Sequence, residues 1–232
     1  MTFALRSLAL ASLVALTACG TTYRPGRLAA DPSVVAEIDD ADVQKAFAAK
    51  PQLPAHPTVA YFIDDPGKDA AIGDAMRAVP GVGTVYGIPT FEVTGRHRFE
   101  EPTTAVGALS IKKLRLLAAR AHSDVLVVVD YGSRTTVDAN GWAALNVLVV
   151  PALFVPFRDM KVESALDAYV IDTRNGYLYG HVSLERANDL PRRTIYAGDA
   201  AVIDAQWKEL VGELGTSIAG LIDAEHGAHG PT

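Results

Sequence analysis

The sequence predicts an α/β fold with an α+β tendency: a single domain with one mixed sheet of about five strands and helices packed on it. Three observations carry this. Between Val59 and Val129, apolar runs of strand length alternate with stretches of helical periodicity, the pattern of strands joined by helical crossovers. Two alternating segments then flank Asn175-Gly176, and Asn-Gly is the strongest short hairpin signal. An amphipathic stretch over 198–224 closes the fold, with apolar residues at helical spacing.

Each element has its own warrant. Residues 59–63 are an apolar run ending in Asp64-Asp65-Pro66-Gly67, a turn. Residues 69–78 read as a helix, with Ala71, Ile72, Ala75, Met76 and Val79 on one face, ended by Pro80-Gly81. Residues 82–88 form a second strand closed by Pro89. Residues 103–121 read as a helix in which Leu109, Leu114, Leu117, Ala118 and Ala121 recur at helical spacing, with Lys112, Lys113, Arg115 and Arg120 on its wet face. The run 124–131 is apolar at nearly every position, as in a strand covered on both faces. The hairpin strands are 161–172 and 177–186. Ala165, Asp167, Tyr169 and Ile171 alternate with Leu166, Ala168 and Val170, so both faces look largely apolar and covered. The last helix points Val202, Ala205, Leu210, Leu214, Ile218 and Leu221 at the core.

The N-terminus differs in kind. Arg6 precedes a short apolar run from Leu8 to Ala15, which ends at Leu16-Thr17-Ala18-Cys19. A spanning helix needs about 20 apolar residues; this layout is that of a secretory signal with a cleavage site. Cys19 is the sole cysteine of the chain. The motif resembles the lipobox of bacterial lipoproteins, with Leu16 three positions before the cysteine and Ala18 directly before it. The resemblance implies removal of residues 1–18 and lipidation of Cys19, whose thiol takes a diacylglycerol. It also implies an outer-membrane address with the domain facing the periplasm, because an aspartate after the cysteine favours inner-membrane retention and Gly20 stands there instead. Residues 19–57 hold Pro25, Pro32, Pro51, Pro54 and Pro57 and read as a tether, with one helix over 32–49 capped by Asp31. The globular domain is expected over 58–224. Residues 225–232, rich in Gly and His, read as a disordered tail.

Composition narrows the partners. Residues 1–18 hold Arg6 and no acid, so their removal takes the net charge from −6 to −7. This surface argues against nucleic acid and against electrostatic attraction to anionic lipid. Membrane attachment must come from the acyl chains. With Cys19 acylated no disulfide can form, so stability rests on a packed core.

The segment 141–157 stands apart. It is uncharged, strongly apolar and broken by Pro151 and Pro156, which argues against a transmembrane helix. It can cover the sheet, dock a partner protein or enter the membrane; Trp142, Leu148, Phe154 and Phe157 are its contact candidates.

Catalytic and metal motifs are weak. Gly81-Val82-Gly83-Thr84-Val85-Tyr86-Gly87 has the glycines of a dinucleotide loop, but it follows a helix and opens a strand. His226 and His229 sit in the expected tail without further ligands, and His97 lies in a charged loop. No cofactor and no metal are expected. Asp64 and Asp130 both follow buried-type strands, so parallel pairing would bring them to one sheet edge, where open α/β sheets bind ligands. Asp167, inside an apolar strand, calls for a partner such as Arg186 or Arg134.

The element order resembles the periplasmic α/β domain of CsgG-like, LpoB-like and TolB-N-terminal-like envelope proteins. The residues that carry this are Leu114-Arg115-Leu116-Leu117-Ala118-Ala119-Arg120-Ala121, Ser123-Asp124-Val125-Leu126-Val127-Val128 and Asp172-Thr173-Arg174-Asn175-Gly176. The resemblance implies a non-enzymatic envelope lipoprotein that binds or scaffolds another envelope component. Two alternatives stay open: a subunit of an oligomeric export or assembly complex using 141–157, and a small-ligand binder or hydrolase at Asp64 and Asp130.

Overall fold

A computed structural model describes residues 20–24, 40–94, 110–139, 158–192 and 199–229. Cys19 and residues 1–18 lie outside the described residues, as do His97, residues 103–109 and the segment 141–157 with Trp142, Leu148, Phe154 and Phe157. In chain order the elements are β1 (Gly20–Arg24), α1 (Asp40–Ala48), β2 (Val59–Ile63), α2 (Asp69–Ala78), β3 (Val85–Gly87), α3 (Thr90–Thr94), α4 (Ile111–Arg120), β4 (Val125–Ala139), β5 (Arg158–Asp172), β6 (Leu178–Arg192) and α5 (Ala200–His229).

The strands form one mixed sheet in the order β3-β2-β4-β5-β6, with β1 added as a further partner of β4. This is the expected α/β architecture. β2 runs parallel to both β3 and β4, while β1 lies antiparallel to β4. The N–H of Thr173, just past the end of β5, donates to the Asp124 carbonyl at the start of β4, so β4 and β5 run antiparallel. The described residues fall into two compact units. One lies within 26–131, 165–184 and 208–232, the other within 1–25, 132–164 and 185–207. Strands β4, β5 and β6 and helix α5 contribute residues to both.

In the first unit β2 is buried along its full length, and so is β4 from Val125 to Val129. Strands covered on both faces read as unbroken apolar runs, which is why these two were legible. Ala60, Phe62, Leu126 and Val128 cluster with Ile88, just past β3, and with Val93, Leu114, Leu117 and Ala118 from α3 and α4. On the opposite face Tyr61, 3% exposed, occupies the space beside α2 and β3: a Cβ on Gly73 or Gly87 would stand 2.6 or 2.7 Å from its hydroxyl oxygen. Burial, and next the Asp69 carboxylate, push the Tyr61 phenol up from 10.0 to about 12. An acid whose pKa rises on folding stabilises the native state fully below its unfolded pKa and loses that contribution as pH climbs through the folded value. Stability should therefore fall between pH 10 and 12. Urea denaturation at stepped pH should show Tyr61→Phe with a shallower decline over this window.

Several boundaries differ from the sequence reading. β3 is shorter than 82–88, because Gly81 turns the chain at φ +82° and the Gly83 N–H bonds the Pro57 carbonyl at 3.0 Å. α4 starts at Ile111 after Ser110 in extended backbone. It ends in a Schellman closure: the N–H groups of Ser123 and His122 donate to the carbonyls of Ala118 and Ala119, both at 3.0 Å. His122 holds the left-handed position at φ 54°, which glycine fills at lower cost. His122→Gly should raise stability by about 0.5–1 kcal/mol, readable as an upward shift in the urea midpoint at unchanged m-value.

Residues 50–57 do not hang free as a tether. The Lys50 carbonyl accepts from Asn175 at 2.6 Å, the Gln52 carbonyl from Arg174 at 3.3 Å, and the Pro54 carbonyl lies 3.0 Å from His226 Nε2. Leu53 is 4% exposed. The same contact explains a second correction: where composition predicts a tail after Glu225, α5 stays helical to His229, with the ring of His226 tied to Pro54.

β5 is not covered on both faces. Met160, Val162, Ser164, Leu166, Ala168 and Val170 are buried, whereas Asp159, Lys161 and Tyr169 are exposed and Glu163, Ala165 and Asp167 are half-buried. This is the alternation of a strand with one wet face. In β6 the alternation slips by one residue between buried Tyr179 and buried Val182. β6 lies at the end of the strand order and tolerates Pro191, as edge strands do.

In the second unit β4 continues past Tyr131, burying Ser133 and Thr135 rather than aliphatic residues. Gln206 of α5, 3% exposed, is its polar centre. Its amide oxygen accepts from Ser164 Oγ at 2.6 Å, and its amide nitrogen donates to the Val162 carbonyl at 3.0 Å and to Asn188 at 2.7 Å. The core face of α5 here is Ile203, Gln206 and Trp207, where Val202 and Ala205 were expected; in the first unit it continues through Leu210, Leu214, Ile218 and Ile222. Leu210, Leu214 and Ile218 lie inward as expected, and the stripe shifts by one position only at its two ends.

Candidate functional site

The parallel register pairs Ile63 with Val129, so Asp64 and Asp130 follow on neighbouring strands, at one edge as expected. Both are half-buried and already engaged. Asp65 caps the following turn, accepting the Gly67 N–H at 2.9 Å. Lys68 places its ammonium 4.7 Å from the Tyr131 ring centroid, a cation–π contact. A ligand crevice in an open sheet forms outside strands that end together. Here β2 ends at Ile63 while β4 runs on to Ala139, so the two strands do not end together.

Asp172 is the most completely built polar centre of the first unit. It is 0% exposed. One carboxylate oxygen accepts the N–H groups of Arg174 and Asn175 at 2.8 and 3.2 Å, and the other accepts the Tyr179 hydroxyl at 2.8 Å. The Tyr179 oxygen accepts the Gln52 N–H at 3.2 Å. Burial first, and then donation to Asp172, hold the Tyr179 phenol well above its ordinary value. Arg174 also pairs with Asp124, whose other oxygen accepts the Thr58 N–H at 2.9 Å. Arg115 reaches over the turn to the carbonyls of Thr173 and Arg174. Gly176, at φ +79°, leaves that guanidinium room: a Cβ there would lie 2.8 Å from it. The cluster fastens the hairpin turn to residues 50–58.

Asp167 pairs with His181 at 3.0 Å, and the His181 ring stacks on Tyr169 with centroids 4.4 Å apart. Neither expected arginine is its partner. Arg186 bonds the Glu185 carbonyl at 2.8 Å, and Arg134 pairs with Glu163. Lys161 also reaches Glu163, at 2.6 Å, and Lys161 and then Arg134 hold the Glu163 carboxyl below its ordinary value. Among the described residues no group of three metal-capable side chains converges.

The second unit holds the arrangement that bears on Cys19. β1 pairs with β4 from Gly20 opposite Val137 to Arg24 opposite Ser133. The strand thus begins at the residue directly after Cys19, where a tether was expected. β4 ends at Ala139, two residues beyond Val137. Arg134 beside Glu163 sets the antiparallel register of β4 and β5, and the same register continued places Ala139 opposite Arg158, the first residue of β5. The start of β1, the end of β4 and the start of β5 therefore meet at one end of the sheet. Sequence reading missed β1 because Gly20-Thr21-Thr22-Tyr23-Arg24 carries no apolar alternation.

No protein-family profile matches the chain, and curated proteins give no match. Solved structures with a similar chain course include the PelC dodecamer from Paraburkholderia phytofirmans, 11% identical, covering 85% of this chain and 97% of that one at a TM-score of 0.35. A minor lipoprotein from Acinetobacter baumannii is 8% identical over 74% of this chain and 95% of its own, with a TM-score of 0.36. A lipoprotein from Neisseria meningitidis is 13% identical over 72% and 99%, with a TM-score of 0.35.

Proposed function

We propose that this chain is an outer-membrane lipoprotein, anchored through acylated Cys19 with its domain facing the periplasm, and that it binds or scaffolds another envelope component without catalysing a reaction. The observation that carries this is the sole cysteine standing at the end of Leu16-Thr17-Ala18-Cys19, directly after an apolar leader. β1 runs from Gly20, the residue next to the expected acyl acceptor. Among the described residues no helix is long and apolar enough to cross a membrane. The buried polar groups of Asp172 and Gln206 are bonded within the fold, which suits a scaffold. Trp142, Leu148, Phe154 and Phe157 are the proposed partner or membrane contacts.

Mass spectrometry of the mature protein tests the reading. The wild type should start at Cys19 and carry the acyl mass. Cys19→Ser should lose that mass and move from the membrane to the soluble fraction, a near-complete shift because one residue carries the attachment. An unmodified cysteine in the wild-type protein would remove the address. In-cell crosslinking then identifies the envelope partner.

A further inference from the structure

We propose that the cleft between β3, α3 and α4 binds a zwitterion with an apolar side chain: an amino acid or the end of a short peptide. The site does not depend on acylation of Cys19, so the two readings fail separately. The cleft measures about 490 Å³ and is lined by Tyr86, Glu92, Leu117, Arg120 and Ala121. Small-molecule sites occupy roughly 300–1,000 Å³. All five residues belong to the first unit.

The frame of the cleft is fixed by burial and by backbone bonds. Tyr86, in the middle of β3, packs against the core cluster. Leu117 belongs to that cluster, and so does Val93, the neighbour of Glu92. Lys113 of α4 donates to the Val93 carbonyl of α3 at 2.6 Å, which fastens one helix to the other. The Ala121 N–H closes on the Leu117 carbonyl at 3.1 Å. A pre-formed site spares a ligand the cost of ordering it.

The charges on the two helices select the ligand. α3 contributes the Glu92 carboxylate and α4 the Arg120 guanidinium. Both residues are exposed, and no ion pair among the described residues takes up either charge. Two opposite charges that share a cleft without bonding each other match a molecule carrying both signs. The guanidinium takes a carboxylate in a two-pronged hydrogen bond, and the Glu92 carboxylate accepts from an ammonium. Tyr86, Leu117 and Ala121 supply apolar surface beside them, and an aromatic side chain stacks on the tyrosine ring. Glu92 disfavours a phosphate ester, and two charges disfavour a plain hydrocarbon.

Calorimetric titration of the full-length mature protein with L-phenylalanine tests the site. N-acetyl-L-phenylalanine and L-phenylalanine amide each lack one charge, and L-alanyl-L-phenylalanine presents both at peptide spacing. Phenylalanine or the dipeptide should bind saturably, and the tighter of the two tells a free amino acid from a peptide end. Blocking either ligand charge should weaken binding about ten-fold or more. Arg120→Gln should lose the preference for phenylalanine over its amide, and Glu92→Gln the preference over the acetylated form. Both side chains are exposed, so the urea midpoint should stay where it is. Absence of saturable binding by both probes at millimolar concentration, or a preference that survives in either variant, overturns the site and leaves the anchor reading standing. The acyl mass at Cys19 judges the anchor independently.

Discussion

Asp172→Ala should destabilise the protein by about 3–5 kcal/mol, although the residue touches no ligand. Leaving a buried hydrogen-bonding group unsatisfied costs about 1–3 kcal/mol, and this substitution strands several at once. The N–H groups of Arg174 and Asn175 lose their acceptor, and the Tyr179 hydroxyl loses the oxygen to which it donates. The expected readout is a lower urea midpoint at an unchanged m-value. A simple cavity would stop there. Loss of this cluster should also loosen residues 50–58, because Gln52 donates to Tyr179 and Lys50 accepts from Asn175. Hydrogen exchange at the Gln52 amide should accelerate well below the denaturation midpoint. Asp172→Asn keeps an acceptor for the turn amides and should lose less.

The elements that could be read in advance are those whose residues bury on both faces or repeat at a clear period. β2 and α2 were expected over 59–63 and 69–78 and lie there, since an apolar run bounded by Asp-Asp-Pro-Gly leaves little choice. Asn175-Gly176 set the hairpin turn for the same reason. What escaped was structure built from small polar residues. β4 extends through Ser133 and Thr135, which are buried although polar, Thr135 donating its hydroxyl to Asp199. No hydropathy pattern distinguishes that from a loop. The shift at the start of the α5 core face has the same origin, because Gln206 occupies an inward position only where Ser164, Val162 and Asn188 await it. At the candidate sites, the adjacency of Asp64 and Asp130 was legible from two buried strands. That β4 continues beyond Asp130 was not, because Gly132 to Ala139 carries no apolar run. The place of Cys19 in the sequence was plain, whereas the five-residue strand that starts at the next residue is recognisable only through its pairing with β4.

Phe62→Ala should cost about 3–5 kcal/mol, the range for large-to-small changes at buried aromatic sites. Phe62 is 1% exposed and shares a cluster with Ile88, Leu114, Leu117 and Leu126. Removing the ring takes away apolar burial and leaves a cavity whose walls belong to β3, β4 and α4, elements too constrained by the sheet to collapse onto it. Against total stabilities of about 5–15 kcal/mol, this is a large fraction, and urea or thermal denaturation should show it directly. Phe47→Ala is the matched control: Phe47 is 93% exposed, and the change should stay within about 0.5 kcal/mol. The pair also separates folding from anchoring. On the proposed reading Cys19 is acylated at the end of a leader that contains neither residue, so Phe62→Ala protein should still carry the acyl mass while falling in abundance as the unfolded fraction is degraded. Loss of the acyl mass in Phe62→Ala would instead mean that processing depends on a folded domain, tying the anchor to the sheet earlier than membrane docking.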